Sequence, residues 1–226
     1  MSSSTILRVD LHSHTSHSID AWMPPRTLVR RARSAGLDRI AVTDHGAIDG
    51  ALRARDIDPE LIIVGEEVRC DNGTELVALF IERHVPDGLP VGETAARIRE
   101  QGGVVYAPHP FAYPGTPHAA PDQALDVADL VEAFNSRAFL PRWNRAALRA
   151  IAERGLPAAA SSDAHFPWEI GRAFTEMPAF RSAEEFRRAL RHARPLGRRK
   201  ASPVVHVASI GLHFIRKRIW PRRPGW

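Results

Sequence analysis

The stretch ILRVDLHSH, residues 6–14, runs an apolar segment straight into two histidines one residue apart. Ile6 to Leu11 reads as a buried strand. Alternate residues of an extended chain point to the same face, so His12 and His14 present two donors together, and two donors together point to a metal. The arrangement recurs downstream. Ile40 to Thr43 leads into Asp44 and His45, Leu61 to Val64 into Glu67, and Gly103 to Ala107 into His109; Leu130 to Phe134 leads into Asn135, and Leu156 to Ala160 into Asp163 and His165. One His-x-His pair is weak evidence, since 11 histidines in 226 residues give on the order of half of one such pair by chance. The whole set is much stronger, because strand ends that converge on one rim make a site.

Nitrogen and oxygen donors without cysteine fit zinc, manganese or iron, and carboxylates bridge such ions, which is the layout of a multinuclear hydrolytic site. Cys70 is the only cysteine. There is thus no disulfide framework, any metal is held by histidine and carboxylate, and Cys70 itself reads as a small buried apolar residue.

A length of 226 residues suits one domain, and 44% hydrophobic with 25% charged residues is ordinary for a soluble globular protein. The expected division is a main domain carrying these residues over 1–200 and, over 201–226, a C-terminal helix and basic tail packed on or trailing from the same domain. There is no apolar run of about 18 residues for a membrane span, and Met1 to Thr5 lacks the regions of a secretory signal, so the expected compartment is the cytoplasm. The net charge of +5 permits anionic partners, but the excess gathers near the end in Arg198, Arg199, Lys200, Arg216, Lys217, Arg218, Arg222 and Arg223. With Lys200 and Lys217 the only lysines, the arginine bias reads as codon usage rather than selection for phosphate contacts.

Proline and glycine punctuate the chain. Pro24 and Pro25 start a helix through Arg33 that Gly36 ends. Leu61 to Val64 and Leu76 to Ile81 are apolar runs separated by Asp71, Asn72 and Gly73, a hairpin or tight connection. Thr94 to Glu100 reads as a helix ended by Gly102 and Gly103, and Pro108 to Pro121 as an irregular active-site loop. A helix is expected over Pro141 to Arg154, a strand over Ala158 to Ser161, and an amphipathic helix over Ala183 to His192 capped by Ser182. Helices alternating with short apolar strands argue for α/β architecture with a parallel sheet. Ligand residues at the C-terminal ends of several strands favour a closed or distorted βα barrel, TIM-like, over an open sheet.

Five short motifs carry a family resemblance: DLHSHT at Asp10 to Thr15, TDHG at Thr43 to Gly46, GEEV at Gly65 to Val68, PHP at Pro108 to Pro110 and SDAH at Ser162 to His165. In this order and spacing, from Asp10 to about Arg172, the chain resembles the PHP family, named for polymerase and histidinol phosphatase domains. The resemblance implies a distorted (βα)7 barrel with two or three divalent metals at the C-terminal ends of the strands, usually catalysing phosphoester hydrolysis. His12, His14, Glu67 and Asp163 resemble the ligands of a first metal, with Glu67 bridging to a second. His109 resembles a ligand of that second ion, and Asn135 falls where many relatives carry a histidine. Glu75 stands near a point where some relatives place a metal-binding histidine, and Asp20, His45 and His165 resemble the ligands of a third ion. Glu67 rather than Glu66 follows from the family's Gly-x-Glu pattern. WEIGRAFTEMP, Trp168 to Pro178, and SPVVHVAS, Ser202 to Ser209, resemble stand-alone members more than polymerase-attached domains, so the chain is expected to be a complete enzyme.

The implied reaction is hydrolysis of a phosphomonoester, on a small phosphorylated metabolite or nucleotide, by a metal-bridged hydroxide, with Glu67, Asp163 and His165 at its centre. Arg137 and Arg172 are the candidates to clamp phosphoryl oxygens through paired donors. His17 stands near the first motif but off its spacing and reads as solvent-facing, with donation to the leaving oxygen as the alternative. His84, His118, His192, His206 and His213 lie outside any motif and read as structural or surface residues. Val204 to Trp220 spaces its apolar residues as an amphipathic helix that closes the bottom or side of the barrel, with an anionic membrane or nucleic acid as the alternative contact. An exonuclease or phosphodiesterase acting on short oligonucleotides is the close alternative, with Phe111, Tyr113 and Trp168 as stacking residues. The amidohydrolases share a His-x-His after the first strand, but those with two metals commonly bridge them with a modified lysine, and this chain has none before Lys200. A metal-dependent binding module without catalysis is the third reading.

Overall fold

The computed structural model describes residues 5–112, 120–197 and 199–201, together with the single positions 205, 211 and 215. In chain order the elements are β1 (Ile6–Asp10), α1 (Pro25–Ser34), β2 (Arg39–Val42), α2 (Asp49–Ile57), β3 (Ile62–Arg69), β4 (Glu75–Leu79), α3 (Val91–Glu100) and β5 (Val104–Ala107). They continue with α4 (Pro121–Val127), β6 (Leu130–Asn135), α5 (Pro141–Arg154), β7 (Ala158–Ser161), β8 (Ala173–Pro178), α6 (Ala183–Ala189) and β9 (Arg194–Gly197). Local chemistry sets the helix ends. Proline occupies the first turn of α1, α4 and α5, where its missing N–H costs nothing. Gly155 ends α5 in the left-handed region at φ 64°, and the Ser182 hydroxyl caps α6 by accepting from Glu185 N–H at 3.2 Å.

The strands form one sheet in the order β7-β6-β5-β4-β3-β2-β1-β8-β9. Neighbours β1–β2, β2–β3, β5–β6 and β6–β7 are parallel, whereas β3–β4, β4–β5, β1–β8 and β8–β9 are antiparallel. The sheet curls until its ends meet: Ala160 N–H on β7 donates to the Thr175 hydroxyl on β8 at 2.9 Å, and that hydroxyl donates back to the Ala160 carbonyl at 3.2 Å. The result is the expected distorted barrel, and β3 and β4 form the hairpin expected around Asp71, Asn72 and Gly73. The turn at Asn72 and Gly73 is far too short to carry a parallel crossover, so β4 must run back along β3. β8 and β9 add an antiparallel flap beside β1, and α2 was not anticipated because its buried face holds only Gly50, Ala51 and Ala54. The helix expected to reach His192 stops at Ala189 and tightens into a 3-10 turn over Leu190–His192.

One apolar cluster fills the barrel, with Val9, Leu11, Ile63, Val77, Leu79 and Tyr106 among its members. Phe180 and Phe186 close its lower end, where Arg187 donates to the carbonyls of Gly102 and Gly103 just ahead of β5. A second cluster packs α1 to α5 on the outer face of the sheet. The lower end is therefore plugged with hydrocarbon, and the C-terminal ends of the parallel strands are left for polar groups. Among the described residues no helix is long and apolar enough to cross a membrane. The expected helix from Val204 and the basic tail lie outside the described residues apart from Val205, Gly211 and Ile215, as do Tyr113, His118, His206 and His213.

Candidate metal centre

Buried polar residues build the rim on which the centre stands. Asp44 accepts from Thr15 N–H and the Thr15 hydroxyl, each at 2.6 Å, and from the Ser18 hydroxyl at 2.8 Å, pinning the loop after β1 to the end of β2. Gly50 leaves room for this knot, since a Cβ there would stand 2.0 Å from Asp44 Oδ2. Asp10 accepts from the Ser162 backbone and hydroxyl. Burial, opposed by those bonds, pushes its carboxyl up to about 7. His109 and Asp163, at the exits of β5 and β7, take positive φ of 25° and 51°. Such backbone is costly for residues with a side chain and persists where the surroundings over-determine it.

At the centre, four donor atoms from three segments face one another. Nε2 of His12 and Nε2 of His14 lie 3.0 Å apart. His12 Nε2 stands 3.2 Å from Glu67 Oε2 and 3.7 Å from Asp163 Oδ1. For His14 Nε2 the corresponding distances are 3.4 and 3.3 Å. Donors at about 2.0–2.2 Å from a single tetrahedral ion stand roughly 3.3–3.6 Å from each other, so the donor atoms of His12, His14 and Asp163 are close enough to share a divalent metal, with Glu67 Oε2 beside both imidazoles. The other Glu67 oxygen turns away: Oε1 lies 3.1 Å from His109 Nε2, while His45 Nδ1 lies 3.2 Å from Oε2. Glu67 thus faces two groups of donors with its two oxygens. Beyond His14, the rings of His45 and His165 lie close, with centroids 4.6 and 4.2 Å from that of His14, His45 stacked and His165 tilted. Asp20 completes that side, its Oδ2 3.1 Å from His165 Nε2 and 3.8 Å from His45 Nε2. Glu75 lies at the margin, with Oε2 4.0 Å from His109 Nδ1.

Carboxylates and imidazoles in the cluster shift one another's ionisation. Burial would raise Glu67, yet His12, His45 and the bond from His109 hold it well below the usual carboxylate range. Burial likewise opposes ionisation of Asp163, and His12 and His14 outweigh it. Burial also disfavours charge on His45 and His109, but Glu67 and its neighbours raise both to about 9. His14, buried and beside His165 and His45, falls to about 3. Protons on imidazoles here balance the carboxylates, and divalent ions are able to replace them, since ligation requires the histidines neutral.

Of the expected site residues, His12, His14, Asp20, His45, Glu67, Glu75, His109, Asp163 and His165 come together at this rim. Asn135 reaches the rim through hydrogen bonds to its neighbours. Its oxygen accepts from the backbone N–H groups of Arg137 and Ala138 at 2.7 and 3.0 Å, and its amide nitrogen donates to Asp163 at 3.1 Å and Glu132 at 2.9 Å. Its side chain thus links Asp163, Glu132 and the turn at Arg137 and Ala138. Arg137 has its guanidinium buried against Glu169, Nη1 lying 3.2 and 3.0 Å from the two carboxylate oxygens. Arg172 is tied to the carbonyls of Trp168 and Lys200 at 3.2 and 2.7 Å and is not brought to the cluster. His17 rests on the Thr15 hydroxyl at 3.1 Å.

Sequence reasoning missed Glu132 and Glu169. Glu169 receives the backbone N–H groups of His165 and Phe166 at 3.0 and 3.1 Å as well as Arg137, which fixes the turn presenting His165. The available signal was a charged residue inside the apolar run of β6 and another just past the SDAH motif.

A signature described as PHP domain matches residues 10–85, and one described as PHP-associated matches residues 141–195. The uncharacterized protein MJ1587 of Methanocaldococcus jannaschii is 33% identical over 144 residues, covering 58% of this chain and 82% of that protein. A candidate metal-dependent phosphoesterase of Bifidobacterium adolescentis shares the fold with a TM-score of 0.58 at 18% identity, covering 87% of this chain and 97% of that one. The lesion-specific endonuclease PfuEndoQ of Pyrococcus furiosus does so with a TM-score of 0.61 at 18% identity, covering 84% of this chain and 58% of its own. The domain signature starts on the segment that bears His12 and His14 and runs through His45 and Glu67, the residues whose donor atoms converge in the structure: this chain belongs to the PHP family.

Proposed function

We propose that this protein is a metal-dependent phosphoesterase that hydrolyses a small phosphorylated substrate. The observation that carries the reading is the set of 3.0–3.7 Å separations among the donor atoms of His12, His14, Glu67 and Asp163. Those four residues would hold a first ion, Glu67 with His109 a second, and Asp20, His45 and His165 a third. Bound divalent ions supply Lewis acidity and positive charge, which polarise water and offset charge developing on phosphoryl oxygens.

The chain's own residues do the rest. Glu67 couples the two inner groups of donors because each of its oxygens faces a different one. Asp163 holds His12 and His14 in place from the opposite side. His165 is oriented by its Nδ1 at 2.9 Å from the Asp163 carbonyl, leaving Nε2 toward Asp20 at the half-buried edge. The apolar plug below keeps water to the open end, so substrate approaches over the loops that follow β1, β5, β6 and β7.

A phosphodiester substrate is the second reading, favoured by one feature beside His165. Trp168, 54% exposed, stacks on Phe166 with ring centroids 4.9 Å apart and planes 9° from parallel. A flat aromatic pair at the rim suits a nucleobase. The lesion-specific endonuclease with this fold supports the same direction.

The test is phosphate release from nucleoside monophosphates and bisphosphates, sugar phosphates, histidinol phosphate and short oligonucleotides. The protein is stripped of metal and reloaded with manganese or zinc. Release that returns with metal and is lost in Asp163→Asn supports the proposal; products of internal cleavage from dinucleotides without monoester turnover shift it to the second reading. Silence across the panel by protein that binds metal overturns both.

A further inference from the structure

Glu132 stands on β6 with its side chain fully buried and touches the supports of three ligand-bearing segments at once. Its Oε2 accepts from the His109 backbone N–H at 2.7 Å and from the Asn135 amide at 2.9 Å, and that same amide nitrogen donates to Asp163. Its Oε1 has no hydrogen bond, and neither has Nδ1 of His12, yet these two buried atoms lie only 3.5 Å apart. Leaving either unpaired is costly, and each is the complement of the other, so a closing movement of a few tenths of an ångström satisfies both. On the other side of the same ring, His12 Nε2 faces His14, Glu67 and Asp163.

We infer that Glu132 is the positioning residue of this centre: by accepting from Nδ1–H of His12 it aims the Nε2 lone pair at the cluster, and through Oε2 it braces His109 directly and Asp163 by way of Asn135. This rests on the metal-centre reading above. A carboxylate behind a ligating imidazole fixes its tautomer and raises its basicity. The same arrangement accounts for an amide at position 135. Asparagine offers two N–H donors, one to each carboxylate, while its oxygen caps the turn at Arg137 and Ala138. Glutamine at 132 keeps the shape but offers one acceptor oxygen where His109 N–H, the Asn135 amide and His12 Nδ1–H arrive beside the nearby Tyr106 hydroxyl.

The experiment is a competition titration of cobalt or zinc against a chromogenic chelator on the full chain, wild type, Glu132→Gln and Glu132→Asp, with the cobalt visible spectrum recorded for each. Glu132→Gln is expected to lose about 10- to 100-fold in affinity for the tightest ion and to shift the cobalt bands, with Glu132→Asp recovering part of both. Wild-type affinity and spectrum in Glu132→Gln overturn the inference alone, whereas a wild-type chain that takes up no ion overturns the metal-centre reading and this inference with it. A readout free of substitution covers the case in which Glu132→Gln fails to fold. In zinc-loaded wild type with 15N-labelled histidine, a protected proton on His12 Nδ1 with none on Nε2 supports the inference, and a proton on Nε2 overturns it.

Discussion

Asp10 on β1 and Ser162 just past β7 are joined twice across 152 positions of sequence, the Ser162 N–H and hydroxyl both donating to one buried carboxylate. Around that link the two exit segments pair side by side. Asp163 N–H donates to the His12 carbonyl at 2.9 Å and His14 N–H to the Ala164 carbonyl at 2.8 Å. The seam of the barrel is thus sewn by the same residues that bring two histidines of one segment against an aspartate of the other.

Ser162→Ala removes one of these donors and leaves an Asp10 oxygen short of a partner at full burial. A loss of about 1–3 kcal/mol in unfolding free energy is expected, measured by urea denaturation of the metal-free protein. An unchanged midpoint and slope would show that the seam does not depend on this link.

Arg137→Ala tests whether the arginine is structural. Removing one member of a buried ion pair strands the other, so a cost of roughly 3–5 kcal/mol is expected. The double variant with Glu169→Ala should cost less than the two single losses added together. Additive losses in the denaturation series would contradict the pairing.

The surface pair Arg33–Asp58 sets a pH dependence. The Arg33 guanidinium, at 2.9 Å through both Nε and Nη2, lowers the Asp58 carboxyl below its ordinary range, and the Leu61 N–H adds to this. A depressed folded-state value contributes stability above the unfolded carboxyl's range near about 3.9, which is lost as pH falls through the folded value. Asp58→Asn should therefore cost about 0.5–1 kcal/mol at pH 7 and nothing at acid pH where wild-type Asp58 is protonated in both states. A pH-independent difference between the two chains would contradict the assignment.

Divalent metal should stabilise the fold by mass action, by about 2.7 kcal/mol when free ion stands at 100 times the dissociation constant. Asp163→Asn, which swaps a carboxylate for an amide opposite His12 and His14, should weaken this concentration-dependent rise in melting temperature. Arg172→Ala, tied only to backbone carbonyls outside the cluster, should leave it intact. Equal rises in all three proteins would place the bound ion elsewhere.

The legible part of this protein was local. Proline and glycine bracketed α5 at the residues where it begins and ends, Ser182 marked the start of α6, and β1, β2, β5, β6 and β7 stand within a residue or two of the apolar runs that announced them. The second strand pair was readable because Asn72 and Gly73 leave no length for anything but a hairpin. α2 and the pair β8 and β9 were not: small residues give a helix no apolar stripe to detect, and a flap added beside β1 has its partners far away in the chain.

Sequence by itself determined which histidines and carboxylates stand at strand exits, because alternation along a strand and the residue at its exit are properties of a few consecutive positions. It placed histidine and carboxylate at the ends of strands, and the barrel brings those ends to one rim. Only the tertiary structure decided what each neighbour of that set does. The register of β6 against β7 shifts between Glu132 and Phe134, and within that irregular strand end the Glu132 carboxylate meets the amide of Asn135, three positions on. The fold also buries Glu169 where Arg137 arrives and pairs the two. Such pairings depend on register, bulges and burial, which are set by contacts between segments distant in sequence and leave no periodic trace within either one.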